Sequence, residues 1–186
     1  MPPVTTPKQL FKHELQDMYY AEKTLATTLP KLAQEATDPE LTRAFTAHQK
    51  ETEKHVSNLE KVFKQVGLSA QAHPCPGIEG IKKEHDEFMK ENDPSDAMRD
   101  AFLTGAAARA EHYEIAGYTG LVNQARALGE PEAVALLQAN LKQEKEALKK
   151  VETISKRLLK ESNGSNGSSR RSPATSRSRA KTGTSK

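Results

Sequence analysis

The sequence predicts an all-α protein, an antiparallel four-helix bundle with a short fifth helix between its two hairpins. Three observations predict it. Apolar residues recur at alternating three- and four-residue steps through four long segments, the period of a helix face packed on other helices. Pro, Gly and Asp or Asn punctuate the chain between those segments. Aromatics make up only 5% of the 186 residues and Trp is absent, a composition that disfavours a β-sandwich or barrel.

The first helix is expected from about Thr6 to Ala36, with Pro7 tolerated in its first turn. Its seam is Phe11, Leu15, Met18, Glu22, Leu25, Leu29, Leu32 and Ala36, and Pro30 predicts a kink. The second starts near Asp38-Pro39-Glu40 and ends at Gly67, a C-cap glycine. Its seam is Leu41, Phe45, His48, Thr52, His55, Leu59, Val62 and Val66, with Glu51 bordering the same face. After a break containing Pro74, Pro76 and Gly77, a short amphipathic stretch carries Ile78, Ile81, His85 and Phe88 on one face. The third long helix follows Pro94-Ser95 and runs to Leu128-Gly129, with the seam Thr104, Ala107, Glu111, Glu114, Tyr118, Leu121, Ala125 and Leu128. Gly105, Ala106, Ala107, Ala108 and Ala110 crowd that seam with small residues, which allow close helix approach or leave room for something else. The fourth begins at Glu130-Pro131 and ends near Glu161, with the seam Val134, Leu137, Leu141, Glu144, Leu148, Val151, Ser155 and Leu158. Short turns join the first pair and the last pair, so two hairpins of similar length bury their apolar faces on one another.

Residues 1–161 form the expected bundle and residues 162–186 an expected disordered tail. That tail holds Arg170, Arg171, Arg177, Arg179, Lys181 and Lys186 and no acid. It also lacks Leu, Ile, Val and Phe, so it cannot bury enough apolar area to offset its ordering entropy. Without its six bases, 22 basic groups face 25 acidic ones, so the net charge of +3 conceals an acidic body with a basic extension. The extension is a candidate for nonspecific contact with nucleic acid, and otherwise a solubilising tail. One cysteine, Cys75, excludes an internal disulfide framework or a Cys-based zinc cluster. No apolar run approaches the ~20 residues needed to span a bilayer, so no membrane partner and a cytoplasmic setting are expected.

Function is read where the apolar seams break. Glu22 interrupts the first helix, His48, Thr52 and His55 the second, Glu111 and Glu114 the third, and Glu144 the fourth, all near mid-length. Glu22 and Glu51 are 29 residues apart and Glu114 and Glu144 are 30 apart, so the hairpins deliver carboxylates to similar depths. Clustered buried carboxylates repel unless a cation, or protons and donors, lies among them. Two readings stand. Glu22, His48, Glu51, His55, Glu111, Glu114 and Glu144 surround a metal such as iron, manganese or zinc. Alternatively His48, Thr52 and His55 hydrogen-bond the acids in a metal-free polar network. Glu22, Glu51, Glu114 and Glu144 are expected at one level, with Glu111 and one histidine at its edge. Tyr118 reads as core packing.

Five stretches resemble one family. They are LQDMYYAEKTL around Glu22, AHQKETEKHVSNLEKVF around Glu51, CPGIEGI from Cys75, RAEHYEIAGYTGL around Glu111 and Glu114, and LLQANLKQEK around Glu144. Together they resemble the YciE/YciF family of bacterial ferritin-like proteins. The resemblance implies a bacterial stress-response role and a homodimer that uses the short helix, residues 78–91. The wider ferritin-like group implies a two-metal site of iron or manganese, carried onto Glu22, Glu51, Glu111 or Glu114, and Glu144. The group's pattern places His three residues after Glu on two helices. Here Glu51 is followed by Lys54 and Glu144 by Ala147, and Leu148 stands where family members commonly carry an acid. Two function classes result. One is an iron- or manganese-dependent oxidoreductase acting on oxygen or peroxide. The other is a noncatalytic dimeric scaffold with a vestigial site and a nucleic-acid-binding tail.

Overall fold

The computed structural model describes residues 3–168, with side chains through residue 163. Five helices follow in order, α1 (Pro7–Glu35), α2 (Pro39–Gln65), α3 (Pro76–Asn92), α4 (Asp96–Ala127) and α5 (Pro131–Ser168), with no strand among the described residues. Each long helix starts and stops for local reasons. Thr6 caps α1 through the Gln9 N–H while the Gln9 side chain bonds back to the Thr6 N–H. The Asp38 carboxylate caps α2 at the N–H groups of Glu40 and Leu41. Gly67, at φ 71°, lets the chain reverse while the Leu68 N–H bonds the Phe63 carbonyl. The α1 helix continues through Pro30 to Glu35.

Around the bundle, α1 neighbours α2 and α4, and α5 neighbours α2 and α4. Every adjacent pair is antiparallel. Phe11 near the start of α1 shares a cluster with Ala125 near the end of α4, and Leu41 at the start of α2 shares one with Leu158 near the end of α5. Because α2 ends where α4 finishes, the chain must climb back before α4 can begin, and α3 makes that climb. Its start is pinned by buried Ile78 and by Cys75, which accepts the Ile78 N–H and lies 2.8 Å from the Tyr113 hydroxyl. Its upper half is pinned by His85, whose Nε2 lies 2.9 Å from Glu35 Oε2. Much of the expected dimer face is thereby used within the chain: Ile78 is buried, and Phe88 stacks on Phe102 with ring centroids 3.6 Å apart.

Two sequence expectations change. The buried line of α5 passes through Ala133, Leu137, Asn140, Glu144, Val151, Ile154 and Leu158, whereas Val134, Leu141, Leu148 and Ser155 are only partly covered. The helix is rotated from the expected seam because it packs on both α4 and α2, and contact with two neighbours moves the core line between two candidate stripes. In addition, α5 continues to Ser168, past the boundary expected at Glu161. The rest of the basic extension, residues 169–186, lies outside the described residues.

The core consists of two apolar clusters. One gathers Phe11, Leu15, Leu59, Phe63, Leu121 and Leu137, and the other gathers Leu32, Leu41, Phe45, Leu103, Ile154 and Leu158. The polar seam residues lie between them.

Candidate metal centre

All four helices of the bundle contribute to the layer between the clusters. Glu22, His48, His55, Glu111, Glu114 and Glu144 are all buried, and Glu22, His55 and Glu144 are fully so. They fall into two groups that share Glu144. His48, Glu111, Glu114 and Glu144 form a four-donor group, and Glu22, His55 and Glu144 a three-donor group, each with its nearest donor atoms within 4.8 Å of one another. Two bonds of about 2.1 Å to a common ion span about 4.2 Å, a comparable distance.

Hydrogen bonding tests whether these side chains serve one another. His55 Nδ1 lies 2.7 Å from Glu144 Oε1 and 3.3 Å from Glu22 Oε1. His48 Nε2 lies 3.2 Å from Glu111 Oε1 and 3.5 Å from Glu144 Oε2. None of these contacts is aligned as a hydrogen bond. Six buried carboxylate oxygens make no hydrogen bond among the described residues: Glu22 Oε2, Glu111 Oε2 and both oxygens of Glu114 and Glu144. His55 Nδ1 shares that condition. Leaving one buried polar group unpaired costs about 1–3 kcal/mol, and more if it is charged. Donor atoms that converge with ion-pair contacts but without aligned hydrogen bonds fit a cation at their common focus.

The electrostatics point the same way. Burial, then the neighbouring Glu144, Glu22 and Glu111 carboxylates, push Glu114 well above the usual carboxylate range. Burial also raises Glu22 and Glu144, partly opposed by His55. For His55, burial acts downward, but Glu144 and Glu22 outweigh it and push the imidazole up to about 10. Burial likewise opposes protonation of His48, and the Glu111 and Glu51 carboxylates raise it well above the usual histidine value. Without a cation the cluster holds protons tightly, and a bound cation would replace them.

Glu51 stands apart. Its Oε2 bonds His48 Nδ1 at 3.2 Å from a half-exposed position, outside both donor groups. The seam residue on α2 is buried Thr52, and one residue turns the helix by about 100°, which swings Glu51 to the rim. Both histidines, rather than one, lie within the donor groups.

A second polar system was not read from the sequence. Asn58 Nδ2 donates to Asn140 Oδ1 at 2.8 Å, Asn140 Nδ2 donates to the Tyr118 hydroxyl at 3.0 Å, and that hydroxyl donates to Glu22 Oε1. The relay runs from α2 through α5 and α4 to α1, and all four members are buried. It ends on one oxygen of the three-donor group. Burial and the charges of Glu22 and Glu144 raise the Tyr118 hydroxyl well above its usual value, so it keeps its proton. Gln143 Oε1 lies 3.0 Å from His55 Nε2 and so orients the ring. The available signal was Asn140, one helical turn before Glu144, but the misplaced α5 seam hid it.

Two spaces reach the four-donor group. A cavity of about 40 Å³ lies under α3, walled by α1 and α4, with His48, Glu111 and Glu114 in its lining. A more open mouth of about 220 Å³ is lined from α2 by Phe45, Ala47, His48 and Glu51, from α4 by Glu111, and from α5 by Glu146, Ala147 and Lys150.

Comparison with known proteins places the chain among relatives. The model for the family described as Domain of unknown function (DUF892) matches residues 6–163. Protein YciF of Escherichia coli strain K12 is 36% identical over 141 residues, covering 75% of this chain and 84% of that protein. The crystal structure of the E. coli stress protein YciF superposes with a TM-score of 0.80 at 33% identity, over 84% of this chain and 99% of that one. YcfI from Rhodopseudomonas palustris, described provisionally as a structural protein, gives 0.79 at 38% identity, over 82% and 96%. A Xanthomonas campestris protein at 21% identity and TM-score 0.69, over 87% and 99%, shares the fold.

Proposed function

The chain belongs to the DUF892 family, and from that premise we propose that it is a metal-binding stress protein whose bundle core holds a pair of first-row cations. The observation that carries this reading is the set of six buried carboxylate oxygens and one imidazole nitrogen that make no hydrogen bond among the described residues and converge on one another and on the histidines. His48, Glu111, Glu114 and Glu144 would hold one ion, and Glu22, His55 and Glu144 the other, Glu144 being common to both groups. Mixed carboxylate and imidazole donors suit iron or manganese. A bound pair would supply redox chemistry toward oxygen or peroxide. The chain's own groups would orient the ligands: Tyr118 fixes Glu22, Gln143 fixes the His55 ring, and Glu51 fixes His48. The stress role rests on the likeness to E. coli YciF, which is described as a stress protein.

Calorimetry with manganese(II) and with iron(II) under nitrogen tests the proposal. Two ions per chain are expected for the native protein and none for a Glu114→Gln, Glu144→Gln double variant. Equal heats from both proteins would end the metal reading.

A second reading has one specific feature behind it. The fourth helix supplies only Glu144, with Ala147 and Leu148 in the two positions where further ligands would stand. On that reading the chain is a dimeric scaffold, with a polar network in place of a metal and a basic tail that contacts nucleic acid. Purification without chelators, followed by elemental analysis, separates the two readings, since the scaffold carries no stoichiometric metal.

A further inference from the structure

The small residues of α4 have a use beyond close packing. Ala106, Ala107 and Ala110 line the roughly 40 Å³ cavity opposite Leu25 and Leu29 of α1 and Ile78 and Ile81 of α3. At one end the cavity meets Glu111 and Glu114, buried acids with unpartnered oxygens that belong to the four-donor group. A space needs about 10–15 Å³ to admit one water-sized body, so this one takes a molecule of two or three heavy atoms. Most of the wall surface is aliphatic, with polar groups from Thr24, Thr28, His48, Lys82, His85, Glu111 and Glu114 also in the lining, and a largely apolar space favours apolar guests. The second way in has the opposite character. Glu51, Glu146 and Lys150 line the α2/α5 mouth, which is wide enough for hydrated solutes.

We propose that the cavity under α3 is a dioxygen-binding site opening onto the four-donor group, while cations reach the same group through the polar mouth between α2 and α5. Dioxygen matches the size and loses no hydrogen bonds on entering. A hydrated cation would face a far larger desolvation penalty along that path. The cation half rests on the metal reading given above, and the dioxygen half does not.

The gas arm uses metal-free protein. Dissolved dioxygen is paramagnetic, so under oxygen pressure the Ala106, Ala107, Ala110 and Leu29 methyl protons should relax faster than those of Leu59 and Leu137, core residues that do not line the cavity. Ala110→Leu fills the cavity and should remove the difference. Thr28→Leu, at a partly exposed lining position, does the same if Ala110→Leu folds poorly. Relaxation that is uniform across the lining and non-lining methyls, or unchanged by both substitutions, overturns the assignment of the cavity. The cation arm follows manganese(II) uptake by stopped flow. Ala147→Leu narrows the polar mouth and should slow uptake roughly tenfold, which is about 1.4 kcal/mol in barrier, whereas Ala110→Leu should leave it unchanged. Uptake slowed only by Ala110→Leu reverses the assignment of the two routes. No uptake by the native protein sinks the metal reading and leaves the gas arm to be judged by itself.

Discussion

Asp100 and Glu114 lie on one helix, both buried, and their surroundings differ completely. Asp100 accepts from the Thr37 N–H at 2.8 Å, the Thr37 hydroxyl at 2.6 Å and the Asp38 N–H at 2.8 Å. Glu114 accepts nothing within the described residues. Opposite stability effects are therefore expected. Asp100→Ala should destabilise the protein by about 1–3 kcal/mol, because it strands donors at the α1–α2 turn. Glu114→Leu should leave the metal-free protein unchanged or more stable by about 1–4 kcal/mol, because it removes a repelling carboxyl. Urea denaturation measures both, and a large loss in Glu114→Leu would show that the carboxyl has a partner the geometry does not reveal. Manganese(II) should raise the native melting temperature with the logarithm of its concentration and leave Glu114→Leu unmoved. Tyr118→Phe should weaken the second ion's binding while sparing the first, because Tyr118 bonds Glu22 of the three-donor group; a two-step binding isotherm reads the split. The sequence showed that Glu22, Glu111, Glu114 and Glu144 break apolar seams. It could not show which buried acid is satisfied, because the partners of Asp100 come from a turn 62–63 residues away.

At the scale of the element, period alone placed α1, α2 and α4, since their seams bury almost every residue expected of them. It failed on α5, where Val134 and Ala133, or Leu141 and Asn140, compete for the same inward position and only the neighbouring helices decide. Glu51 sits at the rim for a related reason: its spacing of 29 residues from Glu22 resembles a match, but a one-residue offset moves a side chain off the face. The start of α2 offers a test that depends on pH. Burial acts to raise the Asp38 carboxyl, but the Arg157 guanidinium 2.8 Å away and the capped Leu41 and Glu40 N–H groups outweigh it and hold it below the usual range. A depressed acid stabilises the fold fully above its unfolded pKa of about 3.9 and loses that contribution as pH falls through its folded value. Asp38→Ala should accordingly cost about 1–2 kcal/mol at pH 7, and the gap should close in strongly acidic solution. Melting curves across pH would show it, and a constant gap would remove the charge from the explanation. For α3, the expected dimer contact now depends on half-buried Ile81 and the outer edge of the Phe88–Phe102 stack. Light scattering of Ile81→Asp and Phe88→Asp should report monomers, and an undisturbed dimer would place any contact elsewhere.

For the molecule as a whole, hairpins and turns were legible because each boundary is marked by Pro, Gly or a capping side chain. The course of α3 was not, because its direction depends on α2 ending far from where α4 must begin. Leu158 is the last buried apolar residue of α5, so removing 169–186 should leave the melting temperature nearly unchanged. If the extension contacts DNA, its removal should also abolish a salt-sensitive mobility shift. The division of the chain by α3 has a further outcome. The first hairpin carries Glu22, His48 and His55, and the second carries Glu111, Glu114 and Glu144, so neither donor group is complete on one hairpin. Nicked by a protease between residues 68 and 74, where the chain leaves α2 and has not entered α3, the protein becomes two fragments whose reassembly is a titration. Manganese(II) would then work as the solder of a split protein: fragment complementation should sharpen as the ion is added and fail when a chelator removes it.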